Sequence, residues 1–143
     1  NNEVWSIVYY KIMTDSIFTK IIKGEISCFK VLENEDFIAF LDVNPVNKGH
    51  TLVVPKLQID YIYDLPEDIF SKLFIFSKKV AQMLKNSFSC NRIGISVVGL
   101  EVPHAHIHLI PINKIEDMNF ERPRVNYSKD DFELILKKIQ ESN

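Results

Sequence analysis

The sequence predicts an α+β fold in which helices accompany a mainly antiparallel sheet of about five strands. Five short apolar runs are bounded by turn-forming residues. Connections of hairpin length join several of these runs, as is typical of antiparallel strands. One longer stretch has apolar side chains at helical spacing and predicts a long helix. A shorter helix is predicted near each end of the domain.

The first predicted element is a short helix. Asp15 or Ser16 can cap its start, the helix runs to Ile22, and Gly24 can end it. Turn-forming residues then separate three predicted strands, at residues 29–32, 37–41 and 50–54.

The longest predicted helix covers residues 66–86. Pro66 suits its first turn, while Glu67 and Asp68 place negative charge at the positive end of the helix dipole. The remaining predicted elements are strands at 92–98 and 105–112, an irregular stretch at 113–127, and a helix that begins at Ser128 or Lys129. We expect the helices to cover one side of the sheet.

Composition indicates an ordinary globular domain, since 46% of the 143 residues are hydrophobic, 25% are charged and the net charge is −2. Residues 13–143 are predicted as a single domain, and residues 1–12 as an N-terminal extension. The charge balance does not favour nucleic-acid binding, and no apolar run approaches the roughly 20 residues that span a bilayer. Cys28 and Cys90 form no CxxC pair, and we expect a reduced, cytoplasmic protein.

The most informative motif is a row of three histidines, His104, His106 and His108, within the run at residues 102–111. Side chains of a β-strand return to the same face every two residues, so the three imidazoles are predicted to share one face. The fourth histidine, His50, precedes another apolar run.

Three kinds of role fit such a row. A structural role is the least favoured, because three unpaired imidazoles would be costly to bury for packing alone. A zinc site is compatible with strand-borne histidines, although no acidic or cysteine residue adjoins the row to complete it. Covalent catalysis at phosphorus is the third role, since a neutral imidazole is a good nucleophile and its neighbours can donate hydrogen bonds to phosphate oxygens.

Four blocks in matching order resemble the histidine triad (HIT) family. Residues 104–110 have its pattern of histidines alternating with apolar residues, and residues 16–26, 37–45 and 48–56 resemble three further blocks. The resemblance covers about residues 15–112. It implies a five-stranded antiparallel sheet, usually paired into a homodimer, and a hydrolase or transferase that acts on a purine nucleoside monophosphate joined to a leaving group.

The resemblance implies unequal roles for the histidines. His106 would attack the α-phosphate and form a nucleotidyl-histidine intermediate, which water would hydrolyse. His108 would contact phosphate, and His104 and His50 would support the nucleophile through hydrogen bonds and tautomer control. Asp42 would accept hydrogen bonds from the ribose hydroxyls.

The resemblance also implies where the rest of the nucleotide would bind. Backbone groups from Gly99 through Leu100 to Val102 would approach the phosphate, and glycine suits such an approach. For Ile21 and Ile26, ordinary core packing is an equally good interpretation. The apolar pocket for the base would comprise Ile17, Phe18, Ile21, Ile26, Phe40, Val43 and Leu52.

The chain departs from the family at three places. Many bacterial members carry a zinc-binding cysteine pair where this chain has Ser16 and Thr19, so we expect no zinc and no other cofactor. Ile93 occupies a position that is often Asn or Gln, and Ser96 is a candidate substitute. Glu101 stands where hydrolases often have Ser or Thr. It would act as a general acid, select a cationic leaving amine, or face solvent.

The leading functional hypothesis is therefore a hydrolase of a nucleoside phosphoramidate or a dinucleoside polyphosphate. The short chain after Ile112 favours the phosphoramidase side. A purine nucleotide-binding module with little turnover is the alternative, motivated by Ile93 and Glu101. A metal-binding domain is the third hypothesis.

Overall fold

The computed structural model describes residues 14–143, and the predicted extension at residues 1–12 lies outside the described residues. The helices are α1 (Ile17–Ile22), α2 (Glu67–Ser87) and α3 (Lys129–Glu141). The strands are β1 (Lys30–Glu33), β2 (Phe37–Leu41), β3 (Thr51–Pro55), β4 (Arg92–Ser96) and β5 (Ile107–Ile112). Short 3-10 turns lie at Ile62–Asp64 and Ile115–Met118.

The five strands form one sheet in the order β1-β2-β3-β5-β4. Every neighbouring pair is antiparallel. This arrangement confirms the predicted α+β class, because a five-stranded antiparallel sheet carries one long helix and two shorter ones. Strand β4 occupies one edge of the sheet, with β5 as its single neighbour.

Strands β1 and β3 each begin and end one residue later than predicted, and two further strand ends differ from the predicted bounds by two residues. Strand β4 ends at Ser96 rather than at residue 98. Strand β5 begins at Ile107 rather than at Ala105. The Ala105 N–H donates to the carbonyl oxygen of Ile59 at 2.7 Å, so at this point the chain pairs with the segment that follows β3. His104 and His106 therefore precede the regular ladder.

Each face of the sheet has its own apolar cluster, because side chains alternate along each strand. Phe37, Ala39 and Leu41 of β2 belong to the larger cluster, which contains the buried faces of α2 and α3. Ile38 and Phe40 belong to the smaller cluster with Phe18, Ile21 and Ile22 of α1. The prediction that the helices cover one side of the sheet is therefore wrong for α1, which packs on the opposite face.

Residues 119–125, here called the returning segment, run back along the loop after β2. The Val125 N–H donates to the Pro45 carbonyl at 3.0 Å. Arg122 Nη2 donates to the Val46 carbonyl at 2.7 Å. The segment lies within the stretch predicted as irregular, and these contacts give it a defined position.

No helix within residues 14–143 combines the length and apolar character needed to cross a bilayer.

Candidate active site

The four histidines lie together on the α1 face of the sheet, and each is at least nine-tenths buried. The ring centroids of His106 and His108 are 4.8 Å apart, and those of His50 and His108 are 5.1 Å apart. Phe18 lies edge-on to His104 at 5.7 Å and to His106 at 5.0 Å. The alternating sequence pattern therefore places the histidine row on one face, as predicted.

A backbone carbonyl fixes the tautomer of His106. Its Nδ1 lies 2.7 Å from the carbonyl oxygen of His104. A carbonyl oxygen can only accept, so Nδ1 carries the proton. Burial lowers the pKa of His106 below its usual range. The neutral ring therefore has its lone pair on Nε2, which is the form that a nucleophile requires.

His50 and His108 form a chain of hydrogen bonds with one direction. The Val46 N–H donates to His50 Nδ1 at 2.9 Å, so neutral His50 carries its proton on Nε2. His50 Nε2 then donates to His108 Nδ1 at 2.9 Å. Neutral His108 consequently carries its proton on Nε2, where it can donate to a phosphate oxygen.

Gly49 positions His50 immediately before β3. Its φ of +87° is favoured only by glycine, and an added Cβ would lie 2.7 Å from the Phe88 ring. A residue other than glycine at position 49 would therefore strain the backbone at the bend that leads to His50.

His104 joins α1 to the sheet. Its Nε2 donates to the carbonyl oxygen of Pro55 at 2.7 Å, and its Nδ1 accepts from Ser16 Oγ at 2.6 Å. Ser16 is also the N-cap of α1, since its Oγ accepts from the Thr19 N–H at 3.0 Å. Gln58 Oε1 accepts from the Ser16 N–H and from the Thr19 hydroxyl. The Ser16–Thr19–Gln58–His104 cluster thus fixes the residue whose carbonyl orients His106.

Desolvation makes the histidine row uncharged at neutral pH. Burial, followed by repulsion from neighbouring histidines and from Arg124, lowers the pKa of His50 and of His108 to about 3. Burial likewise lowers the pKa of His104. The site therefore presents lone pairs and N–H groups rather than imidazolium ions.

Asp42 follows β2 and faces His50. Its Oδ1 accepts from the Asn44 N–H at 2.8 Å, and its Oδ2 lies 3.5 Å from His50 Nε2. Burial raises the pKa of Asp42 to about 6, against the lowering effect of the Asn44 N–H and Arg124. Because His50 is neutral, the two groups form no ion pair at pH 7. The Asp42 side chain is 16% exposed, so it remains accessible from solvent.

The apolar residues implied for the base fall into two groups. Phe18, Phe40 and Leu52 are buried in the smaller cluster, and Ile21 is partly buried against them. The others are more exposed and lie outside that cluster, with exposed fractions of 50% for Ile17, 37% for Ile26 and 67% for Val43.

The residues of the loop before β5 differ in their exposure and in their contacts. Gly99 has a φ of +75° and lines a cavity of about 250 Å³ that His106 also lines. Val102 packs against the smaller cluster, whereas Leu100 is 88% exposed. The Glu101 side chain is 79% exposed and its Oε1 lies 3.8 Å from Arg124 Nη2.

Strand β4 turns Ile93 and Ser96 to opposite faces. Ile93 packs against the larger cluster, away from the histidines. Ser96 is paired with His108 across the β4–β5 ladder, and directly paired residues share a face of the sheet. Ser96 is therefore the better placed of the two for a contact near His108.

Three residues near the histidines were missed in the sequence. Phe120 lies edge-on to His108 at 4.9 Å and to His50 at 6.1 Å. Arg124 lies above Phe120, with 5.4 Å between its Cζ and the ring centroid. Gln58 contacts Ser16 and Thr19, as described above. Phe120 and Arg124 belong to a stretch without periodicity, and the pair of arginines around Pro123 is its single sequence signal.

Ser16 and Thr19, at the expected cysteine-pair positions, do not fit zinc, and neither does Gln58, which contacts them. Ser16, Thr19 and Gln58 offer neutral oxygen atoms, which bond to one another and to His104, whereas structural zinc is held by thiolates and imidazoles. Asp42, His50 and His108 bring one ligand atom each within 4.8 Å of one another. There, His50 Nε2 already carries the proton that it donates to His108, and a metal ion would have to displace that proton.

Comparison with known proteins gives matches to one protein family. The HIT domain family model matches residues 23–115. An uncharacterised HIT-like protein of Methanocaldococcus jannaschii is 42% identical over 99 residues, which cover 66% of this chain and 77% of that protein. Adenosine 5'-monophosphoramidase HNT1 of Saccharomyces cerevisiae is 35% identical over 96 residues, which cover 66% of this chain and 61% of the yeast protein.

The fold also matches a solved structure. A Hit-like protein of Bartonella henselae superposes with a TM-score of 0.79 at 28% identity, over 90% of this chain and 96% of that one. The sequence match and the shared fold agree, and the chain belongs to the HIT domain family.

Proposed function

We propose that the protein hydrolyses a purine nucleoside monophosphate joined to a leaving group, through a nucleotidyl-histidine intermediate. One observation carries the proposal. The buried, neutral ring of His106 has its Nδ1 proton committed to the His104 carbonyl, and its Nε2 lone pair is therefore available. His108 lies beside it with an Nε2–H donor. A nucleophile next to a fixed donor suits attack on a phosphoryl group.

In the proposed first step, the Nε2 lone pair of His106 forms a bond to the α-phosphorus. The bond between phosphorus and the leaving group breaks, and the leaving group departs with the electron pair of that bond and takes up a proton from solvent. His108 donates a hydrogen bond to a phosphate oxygen as negative charge develops there. Water then attacks phosphorus and loses a proton to solvent, the phosphorus–Nε2 bond breaks with its electron pair returning to His106, and the nucleoside monophosphate is released.

The proposed substrate is a nucleoside phosphoramidate, with a dinucleoside polyphosphate as the second choice. The name of the Saccharomyces cerevisiae relative, adenosine 5'-monophosphoramidase, supports the first. Asp42 would bind the ribose, and the exposed side chains of Ile17 and Val43 would contact the base.

A His106→Gly variant assayed on adenosine 5'-phosphoramidate tests the nucleophile. We expect turnover to fall by at least about a thousandfold, since covalent catalysis is lost with the attacking atom. Added imidazole should restore part of the rate by occupying the vacated space. Rapid acid-free quenching of the wild type should trap an adenylyl group on the peptide that contains His106. Turnover that is the same in the wild type and the variant would contradict the assignment.

A nucleotide-binding module with little turnover is the second candidate. It is favoured by Ile93, which faces the larger core cluster rather than the histidines. Calorimetry with AMP combined with the hydrolysis assay separates the two candidates. Binding of AMP without measurable hydrolysis of either substrate class would favour the module.

We also propose that the protein forms a homodimer and works in a reducing compartment such as the cytoplasm. Cys28 and Cys90 are free thiols, which suits a reducing environment. The edge strand β4 leaves Ile95 52% exposed. Val97 and Val98, which follow β4, are also exposed and line one cavity with the exposed side chains of Tyr61, Tyr63 and Phe74. An apolar surface at an unpaired sheet edge is a suitable interface for a second copy.

A further inference from the structure

The returning segment places a cation at the histidine site. Arg124 Nη1 donates to the carbonyl oxygen of Asn44 at 3.0 Å. Its Nη2 lies 3.8 Å from Glu101 Oε1, which is too long for a hydrogen bond. The guanidinium thus extends between the loop after β2, which contains Asp42, and the loop before β5.

Phe120 connects this guanidinium to the two imidazoles. Arg124 packs on the Phe120 ring, and the same ring packs on His108 and on His50. The Arg124 side chain is 17% exposed, so it is held in place but remains accessible at the surface of the site.

A positive charge at this site would balance the negative charge of a bound phosphate. Burial keeps His50 and His108 neutral at pH 7. A nucleotide phosphate brings at least one negative charge, and a buried charge without a partner is costly. Arginine remains charged and has five N–H donors. Within residues 14–143, the one hydrogen bond that Arg124 donates uses a single donor, and the others remain available for phosphate.

We propose that Arg124 binds the phosphate of the nucleotide substrate, and that Glu101 holds the guanidinium in the empty site until the phosphate replaces it. The loose Glu101 contact and the exposure of that side chain suit a partner that is displaced. This inference rests on the proposed function and adds a phosphate-binding residue outside the histidine row. It gives Glu101 an electrostatic role rather than a role in proton transfer.

Calorimetry with two ligands tests the inference. AMP and adenosine differ by the phosphate, so a phosphate-binding residue should affect AMP alone. For Arg124→Gln we expect AMP affinity to fall by about tenfold to a hundredfold, as for a lost charged hydrogen bond, with adenosine affinity unchanged within about twofold. Arg124→Lys should recover part of the AMP affinity. Glu101→Gln should bind AMP at least as tightly as the wild type.

Lys114→Gln is the matched control for the loss of one positive charge. Lys114 is exposed and pairs with Glu116 at 3.5 Å, away from the histidines, and its replacement should leave both affinities unchanged. Equal AMP affinity in Arg124→Gln and the wild type would overturn the inference while leaving the proposed function intact. Equal losses for AMP and adenosine would also overturn it, because they would indicate a change in the fold. Wild-type protein that binds neither ligand would contradict the proposed function and this inference with it.

Discussion

The edge of Phe18 in α1 lies against the imidazole of His106, with ring centroids 5.0 Å apart. The same Phe18 ring packs on Phe40 at 5.6 Å. A short helix on the second face of the sheet therefore covers one side of the His106 ring, and its removal should expose that ring to water.

Phe18→Ala should lower the free energy of unfolding by about 3–5 kcal/mol, because it empties a buried aromatic site. It should also lower kcat, since water would reach His106. Ile17→Ala on the same helix is the control, because Ile17 is half exposed. That variant should leave stability nearly unchanged and raise KM if Ile17 contacts the base. Urea unfolding and steady-state kinetics measure both quantities. Equal stability losses in the two variants would contradict the assigned packing.

Ser16→Ala should lower kcat and leave KM nearly unchanged. The variant loses the donor to His104 Nδ1, and the His104 carbonyl that orients His106 is then less firmly held. It also loses a helix cap, which costs about 1 kcal/mol. Ser128→Ala removes the cap of α3, away from the histidines, and serves as the control. We expect a similar stability loss there with normal kcat. If kcat falls equally in both variants, the effect is one of stability alone.

Acid should destabilise the protein as the pH falls below about 6.5. An unfolded histidine takes up a proton near that pH, whereas folded His50 and His108 remain neutral until about pH 3. The unfolded state therefore binds more protons across this interval, and stability is lost as the pH falls. Each such histidine contributes up to about 1.4 kcal/mol per pH unit. Urea unfolding between pH 7.5 and 4.5 measures the slope. A slope near zero would contradict the lowered pKa values of His50 and His108, because Asp42 can offset the contribution of only one of them.

Asp42→Asn should make that acid loss steeper. The pKa of Asp42 is raised to about 6 in the folded state, so between pH 4 and 6 it is the folded state that binds the extra proton. Asp42 thus opposes the histidines, and its own contribution falls as the pH rises through this range. Removing it should increase the slope by up to about 1.4 kcal/mol per pH unit. An unchanged slope would mean that the Asp42 pKa is ordinary.

Ile95→Lys should convert a dimer into a monomer, because it places a charge on the exposed edge strand. Leu134→Lys on α3 is the control, since Leu134 is also exposed but lies on a different element. Sedimentation velocity gives the mass of each variant. A monomeric wild type at micromolar concentration would contradict the proposed homodimer.

Local patterns predicted the sheet and the histidine row. Strand β2 has the predicted bounds because turn-forming residues flank its apolar run. The start of β5 was misplaced because the Ala105 N–H bonds to Ile59, a contact that no local pattern contains. Phe18, Ile21 and Ile22 give α1 an apolar face in the sequence, but an amphipathic pattern does not specify which face of a sheet it will cover.

The parts of the site that were missed depend on contacts between distant residues. Arg124 reaches Asn44 across 80 positions of sequence, and Ser16 reaches His104 across 88. Neither contact leaves a periodic trace in the sequence. The roles proposed for the histidines rest on the family resemblance, whereas their tautomers required the positions of the Val46 N–H and of the Pro55 and His104 carbonyls.

The hydrogen-bond chain through His50 begins at the Val46 N–H. A peptide N–H does not titrate in the physiological range, and it is present whichever side chain its residue carries, proline excepted. Position 46 can therefore change its side chain during evolution, within the limits of its packing, without reversing the chain. Proline is the one residue that would remove the donor. The backbone thus determines that neutral His108 carries its proton on Nε2. This tautomer should persist in variants whose surrounding side chains have diverged.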